Sequence, residues 1–142
     1  MTSHREAIIA EALSWIGTPY HHQASLKGVG ADCLGVVRGV WRSVHGYDAE
    51  MPPAYSRDWA EAAGEETLLA AAGRHMRPIG IDQRQPGDVL IFRFRATVPA
   101  KHAGILTGPA TFVHAIEGGA ACDVALSAWW RRRIAGVFAF YE

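Results

Sequence analysis

The sequence lacks a net charge, a long apolar run and any internal repeat, and each absence narrows the expected function. Its 14 basic and 14 acidic residues leave a formal net charge of +0 at pH 7, so we expect no nucleic-acid partner. No stretch approaches the roughly 18 apolar residues of a spanning helix, so we expect no membrane insertion. The first residues lead into a segment that carries Glu6 and Glu11, so the uninterrupted apolar region of a signal peptide is missing. We therefore expect synthesis in the cytoplasm without a cleaved leader.

Cysteine is also scarce, because the chain has only two. Cys33 and Cys122 lie far apart and show neither a disulfide framework nor the close spacing of a metal site. We expect Cys33 to be a free thiol and Cys122 to be a structural strand residue. No residue pattern calls for a cofactor, and none is expected.

The order of the periodic segments predicts an α+β fold in one domain spanning residues 1–142. A capping box at Ser3 precedes an apolar stripe, and a second helix runs from Cys33 to about His45. An extended connector over 48–55, a turn near 56–59 and a helix over about 65–75 follow. After Pro78 the chain favours consecutive strands and an antiparallel sheet. The first stripe comprises Ile8, Ile9, Ala12, Leu13 and Ile16; the predicted strands cover 89–94, 102–106, 111–116, 122–126 and 134–141.

Cys33 stands where a glycine-rich loop over 28–35 meets the second helix. The first turn of a helix has unpaired N–H groups and a positive dipole end, which favour a thiolate and lower the pKa of a cysteine. This placement predicts an activated nucleophile. The alternative is a small buried hydrophobic residue without chemistry.

Two histidines on neighbouring predicted strands supply a base for that nucleophile. Pairing Leu106 with Ala110 puts His102 directly opposite His114 on one face of the sheet. His102 can then exchange a proton with Cys33 while His114 holds its far nitrogen, and the Cys33 N–H is the expected oxyanion donor. Two alternatives remain: ordinary strand histidines, or a zinc site that adds His22.

Five motifs in chain order resemble those of the NlpC-like cell-wall peptidases, which are papain-fold enzymes. The resemblance implies N-terminal helices packed on a C-terminal antiparallel sheet or half-barrel, with Cys33, His102 and His114 as the catalytic triad. It further implies that Tyr20 lies beside the cysteine and that Asp32 lines the substrate cleft. The motifs are Gly17-Thr18-Pro19-Tyr20, Asp32-Cys33-x-Gly35, Pro86-Gly87-Asp88, His102-x-Gly104-Ile105 and Val113-His114-Ala115.

The closest likeness is to small members encoded among the tail genes of phages and gene transfer agents. This implies a phage-like tail or baseplate as partner, and a peptidoglycan peptide as substrate, cut after a D-γ-glutamyl residue and before diaminopimelate. Leu34 and the run His21-His22-Gln23 depart from the family pattern, which has serine and a glycine-rich run there. Asp32 has an alternative role as an ordinary helix cap.

The sequence thus predicts a cysteine endopeptidase that a phage-like tail carries to the wall of a recipient cell. One alternative is a non-catalytic structural component of a tail tip that keeps the fold. Another is an amidase or acyltransferase of the same fold. A basic run over 131–133 follows the pair Trp129-Trp130. We interpret this segment as packed aromatic residues beside a solvated basic surface, with a docking surface for a tail protein as the alternative.

Overall fold

The computed structural model describes residues 3–48 and 66–142, in which helices pack against a six-stranded sheet. The predicted connector beyond residue 48 and the turn at 56–59 lie outside these ranges. The helices are α1 (His4–Leu13), α2 (Cys33–His45), α3 (Thr67–His75) and the short α4 (Ala128–Arg131). The strands are β1 (Ser25–Leu26), β2 (Gly30–Ala31), β3 (Arg77–Ile79), β4 (Val89–Phe92), β5 (His102–Gly108), β6 (Thr111–His114), β7 (Cys122–Ala125) and β8 (Ile134–Ala139).

The large sheet has the strand order β3-β8-β4-β5-β6-β7, and every neighbouring pair is antiparallel. This confirms the predicted α+β class. Strand β3 was not predicted, and it pairs with β8 at the edge of the sheet. The short ribbon of β1 and β2 in the loop before Cys33 was not predicted either.

Helix α1 begins at the predicted capping box, where the Ser3 side chain accepts a hydrogen bond from the Glu6 N–H. The predicted apolar stripe is wrong at its end, because Ile16 is 48% exposed and Trp15 fills the core instead at 2%. The helix stops at Leu13, so helical spacing no longer decides which later side chains face inward. The Trp15 ring occupies space that a Cβ at Gly39 would need, 1.9 Å away.

Helix α2 packs its apolar face on the sheet and ends as predicted. Val37, Val40 and Trp41 are buried, and Gly46 stops the helix with a left-handed φ of 81°. The opposite face of the sheet carries a second apolar cluster, which Trp130 of α4 covers. No helix within the described ranges is long and apolar enough to cross a membrane.

Candidate active site

The structure brings the two strand histidines into direct contact. His102 Nε2 and His114 Nδ1 are 2.9 Å apart, and the ring planes meet at 78°. Both side chains are buried on the face of the sheet that lies opposite α1 and α2. The predicted contact on a common face is therefore confirmed.

The predicted register between β5 and β6 is wrong by two residues. Leu106 pairs with Phe112 rather than with Ala110, and the ladder is irregular before Gly108. Because side chains alternate with a period of two, a shift by two keeps both imidazoles on one face. His102 therefore meets His114 diagonally instead of directly across.

A cage of aromatic rings encloses the two imidazoles. Trp130 stacks on His102 with centroids 5.5 Å apart at 27°, and it meets His114 edge-on at 5.2 Å and 89°. Phe92 and Phe94 also contact His102, at 5.8 and 5.5 Å. The predicted packed aromatic pair is confirmed, since Trp129 and Trp130 meet edge-on at 4.9 Å. The contact of Trp130 with the histidines was missed, because nothing in the sequence indicates which way α4 crosses the sheet.

Burial keeps both imidazoles uncharged at neutral pH. It lowers the pKa of His102 from 6.5 to about 3, and His114 adds a smaller contribution in the same direction. It also lowers the pKa of His114 from 6.5 to about 4. Each ring therefore has an unprotonated nitrogen, as a general base requires.

Cys33 is the first residue of α2, and its sulfur lies against the main chain of β5. The thiol approaches the Lys101 carbonyl oxygen at 4.0 Å and also contacts the Ala103 N–H. These two groups flank His102 in the chain. The packing of α2 on β5 thus places the sulfur against the main chain on either side of His102. The His102 ring lies on the other face of the sheet, so the predicted contact between the sulfur and this ring stays a prediction.

The prediction that the helix terminus lowers the pKa of Cys33 is wrong. Burial raises this pKa from 9.0 to about 12, and the nearby Asp32 charge raises it further. The N–H groups of Ala103, Leu34 and Cys33 itself act in the opposite direction but do not offset burial. The resting site therefore contains an uncharged thiol.

Asp32 caps the helix that begins at Cys33. Its Oδ1 accepts a hydrogen bond from the Gly35 N–H at 2.7 Å, and its Oδ2 accepts one from the Gln23 N–H at 2.7 Å. The side chain is buried, with 4% of the residue exposed. These contacts support the capping alternative, whereas the role in lining the substrate cleft stays a prediction.

Tyr20 lies next to the segment that enters Cys33. Its main chain bridges Ala31, and its N–H donates to the Gly119 carbonyl oxygen at 3.0 Å. The side chain is half-buried against the core on the helix side. The predicted position of Tyr20 beside the Cys33 sulfur and the role of its hydroxyl stay predictions.

The structure does not support the alternative of a zinc site in the part of the chain that it describes. Among residues 3–48 and 66–142, no three histidine, cysteine, aspartate or glutamate side chains are arranged to hold a metal ion. Cys33 and Cys122 are both free thiols, and Cys122 lies on β7 as predicted.

Sequence comparison relates the chain to a family of known proteins. A sequence model described as the NlpC/P60 family matches residues 17–139. The gamma-DL-glutamyl hydrolase of Bacillus subtilis is 28% identical over 134 residues, which cover 94% of this chain and 29% of that protein. A protein of Mycobacterium tuberculosis named as a probable endopeptidase is 31% identical over 110 residues, or 78% of this chain and 23% of that protein. The chain spans less than a third of either relative.

Solved structures share the fold over nearly the whole chain. The NlpC/p60 domain of the peptidoglycan hydrolase SagA superposes with a TM-score of 0.68 at 24% identity, covering 99% of this chain and 100% of that one. An NlpC/P60 family protein from Bacillus cereus gives 0.69 at 17% identity, covering 99% of this chain and 41% of that one. The predicted fold is thereby confirmed.

Proposed function

This chain belongs to the NlpC/P60 family, and from that premise we propose that it is a cysteine endopeptidase acting on peptide stems of bacterial peptidoglycan. The observation that carries the proposal is the contact of 2.9 Å between His102 Nε2 and His114 Nδ1. It places the proposed base on β5, against whose main chain the Cys33 sulfur lies, and the proposed orienting partner on the neighbouring β6.

In the proposed reaction the nitrogen that receives the thiol proton is His102 Nδ1, because Nε2 is engaged with His114. This requires the tautomer in which His102 Nε2–H donates to His114 Nδ1. The proton moves from Cys33 Sγ to His102 as sulfur attacks the peptide carbonyl carbon. Return of that proton to the leaving amine breaks the C–N bond and leaves a thioester. Water then attacks the thioester with His102 as base, which releases the acid and restores the thiol.

The start of α2 provides donors for the oxyanion of each tetrahedral intermediate. The N–H groups of Cys33 and Leu34 are the first two of the helix, where no carbonyl of the preceding turn is available, and both point at the sulfur. An oxygen that develops negative charge beside the sulfur therefore lies within their reach. The sequence indicated the first of these donors, and the second is part of this proposal.

The bond cut is proposed to be the one that follows a D-γ-glutamyl residue and precedes diaminopimelate. The similarity to a protein named gamma-DL-glutamyl hydrolase supports a γ-glutamyl specificity. Tyr20, next to the Cys33 segment, is proposed to direct its hydroxyl towards the reacting groups, and Asp32 to shape the cleft through the cap it forms.

A phage-like tail or baseplate is the proposed carrier. The motifs that resemble those of small tail-encoded members of the family support it. In this proposal the protein is made in the bacterial cytoplasm, joins the tail and acts on the wall of the recipient cell. Mass spectrometry of purified tail particles should then detect the chain, and particles that lack it would contradict the proposal.

Digestion of purified peptidoglycan tests the activity. New amino and carboxyl termini, identified by mass spectrometry, should appear with the parent protein and with a Cys122→Ser control. Cys33→Ala and His102→Ala should each abolish them, whereas His114→Asn should retain part of the activity because it removes only the orienting group. Termini at a different amide would indicate an amidase or acyltransferase. Equal activity of Cys33→Ala and the parent would refute the mechanism.

One observation favours a second function, that of a structural tail component without catalysis. The Cys33 thiol and both imidazoles are uncharged in the resting site, so no thiolate is ready to attack. A protein that assembles into tails and leaves peptidoglycan intact over a long digestion would support this function.

A further inference from the structure

Trp130 contacts both imidazoles of the bonded pair. Its ring is nearly parallel to that of His102, at 27°, and perpendicular to that of His114, at 89°. Among the described ring contacts, Phe92 and Phe94 reach only the first histidine, and Phe112 reaches only the second. Trp130 is therefore placed to fix the two rings relative to each other.

The position of Trp130 is itself supported from two sides. Its helix, α4, is held by a hydrogen bond from Arg131 Nη1 to the Leu126 carbonyl oxygen at 3.1 Å. On the outer side, Trp129 meets Trp130 edge-on, and the Arg133 guanidinium lies 3.7 Å above the Trp129 ring. Trp130 is half-buried, whereas Trp129 is 44% exposed.

We propose that Trp130 is a positioning residue for the reaction, which holds the His102 ring against His114 and offers its indole face to the imidazolium formed during attack. The proposal rests on the proposed function, because the imidazolium appears only when Cys33 transfers its proton.

The first part of this role follows from how histidine side chains rotate. The χ2 torsion of histidine has broad minima, so the backbone alone does not fix the ring plane. A hydrogen bond between rings at 78° holds only if both planes are held. The stacked face on His102 and the edge contact on His114 supply that constraint from one side chain.

The second part follows from the charge that His102 gains. The face of an indole attracts a cation but has little effect on a neutral ring. His102 is neutral at rest and cationic once it accepts the thiol proton, so the attraction arises during the chemical step. An interaction of that kind raises kcat and leaves KM nearly unchanged.

Steady-state kinetics on a stem peptide test the proposal with three variants. Trp130→Ala should lower kcat about tenfold at unchanged KM, and Trp130→Phe should recover most of the loss because it retains an aromatic face. Trp129→Phe is the matched control and should behave like the parent, because it keeps an aromatic ring beside Trp130 at a position whose described ring contacts include neither histidine.

A second measurement does not depend on turnover. Nitrogen-15 NMR of the labelled imidazoles should show one tautomer for the bonded pair in the parent and in Trp130→Phe. In Trp130→Ala it should show tautomer averaging. Parent-like tautomers in Trp130→Ala would overturn the proposal. If the parent cleaves no peptide while the NMR changes occur as stated, the ring-positioning role stands and the proposed peptidase function fails.

Discussion

Lowering the pH should destabilise this fold through its bonded histidines, and His114→Asn should remove about half of that effect. Both imidazoles have a pKa of 6.5 when exposed, and burial lowers these values to about 3 for His102 and about 4 for His114. Between those limits the unfolded chain binds a proton at each position and the folded chain does not. The contribution of the two neutral imidazoles to the free energy of unfolding is therefore complete above pH 6.5, and it is lost as the pH falls towards the pKa values of the folded chain.

The magnitude follows from proton linkage. Once the pH lies below the pKa of the unfolded chain, each further pH unit lowers the free energy of unfolding by about 1.4 kcal/mol for each histidine that stays unprotonated in the folded chain. Integration from about pH 7.5 to about pH 5 gives a loss of about 2 kcal/mol for each histidine, or about 4 kcal/mol for the pair. Typical domains have about 5 to 15 kcal/mol in total, so the loss is measurable. Asparagine does not titrate in this range, and the loss in His114→Asn should fall to about 2 kcal/mol.

Urea unfolding of the parent and of His114→Asn across that pH range measures the effect. Only the change of unfolding free energy with pH is compared, so a constant cost of the substitution cancels, as does the titration of the carboxylates. His102→Gln should give the same halved dependence, because it removes the other buried imidazole. If His114→Asn kept the full pH dependence of the parent, the two rings would not be the neutral buried pair that the structure describes.

Three further outcomes follow from the start of α2. In a variant that lacks the other cysteine, alkylation of Cys33 by iodoacetamide should rise about tenfold per pH unit from neutral pH to about pH 10, and a plateau near neutral pH would contradict the raised pKa. Asp32→Asn should speed this alkylation, because it removes a charge that raises the Cys33 pKa. It should also cost about 1 kcal/mol in urea unfolding, because an amide nitrogen replaces the oxygen that accepts a hydrogen bond from the Gln23 N–H. Gly35→Ala should destabilise by about 3 kcal/mol, since its Cβ would lie 1.9 Å from the Ala24 carbonyl oxygen; the helix-propensity gain of up to about 1 kcal/mol does not offset this overlap. Gly73→Ala, where nothing lies within 4 Å of the new Cβ, is the matched control and should stabilise α3 by up to about 1 kcal/mol in the same assay.

Local signals in the sequence were enough to predict where α1 begins and where α2 ends. The capping box at Ser3 and the left-handed Gly46 each act within a few residues, so they can be recognised without tertiary information. The common face of His102 and His114 was also predictable, because it depends only on the parity of the strand register. The register itself was not, since the irregularity between Leu106 and Gly108 changes how many residues the turn uses.

Long-range packing decided the features that the sequence did not indicate. The helix terminus at Cys33 predicted a lowered pKa, but desolvation by the sheet and the rest of the core raises it instead. Trp130 lies in the short helix α4, which is separated from His114 by strand β7. Only the direction in which this helix crosses the sheet brings the Trp130 ring into contact with both histidines. Both outcomes depend on what surrounds a side chain, which neighbouring residues in the chain do not determine.

The uncharged resting site is compatible with cysteine catalysis because one proton transfer forms the Cys33 thiolate and the His102 imidazolium together. Burial disfavours the Cys33 thiolate and the His102 imidazolium separately, yet transfer of a proton from one to the other leaves the net charge unchanged. The two ions attract each other strongly in a poorly solvated site, which offsets part of the cost of each. A peptide carbonyl adds an oxyanion within reach of the α2 N–H groups, whereas iodoacetamide adds none. Slow alkylation at neutral pH and efficient peptide cleavage are therefore expected of the same site.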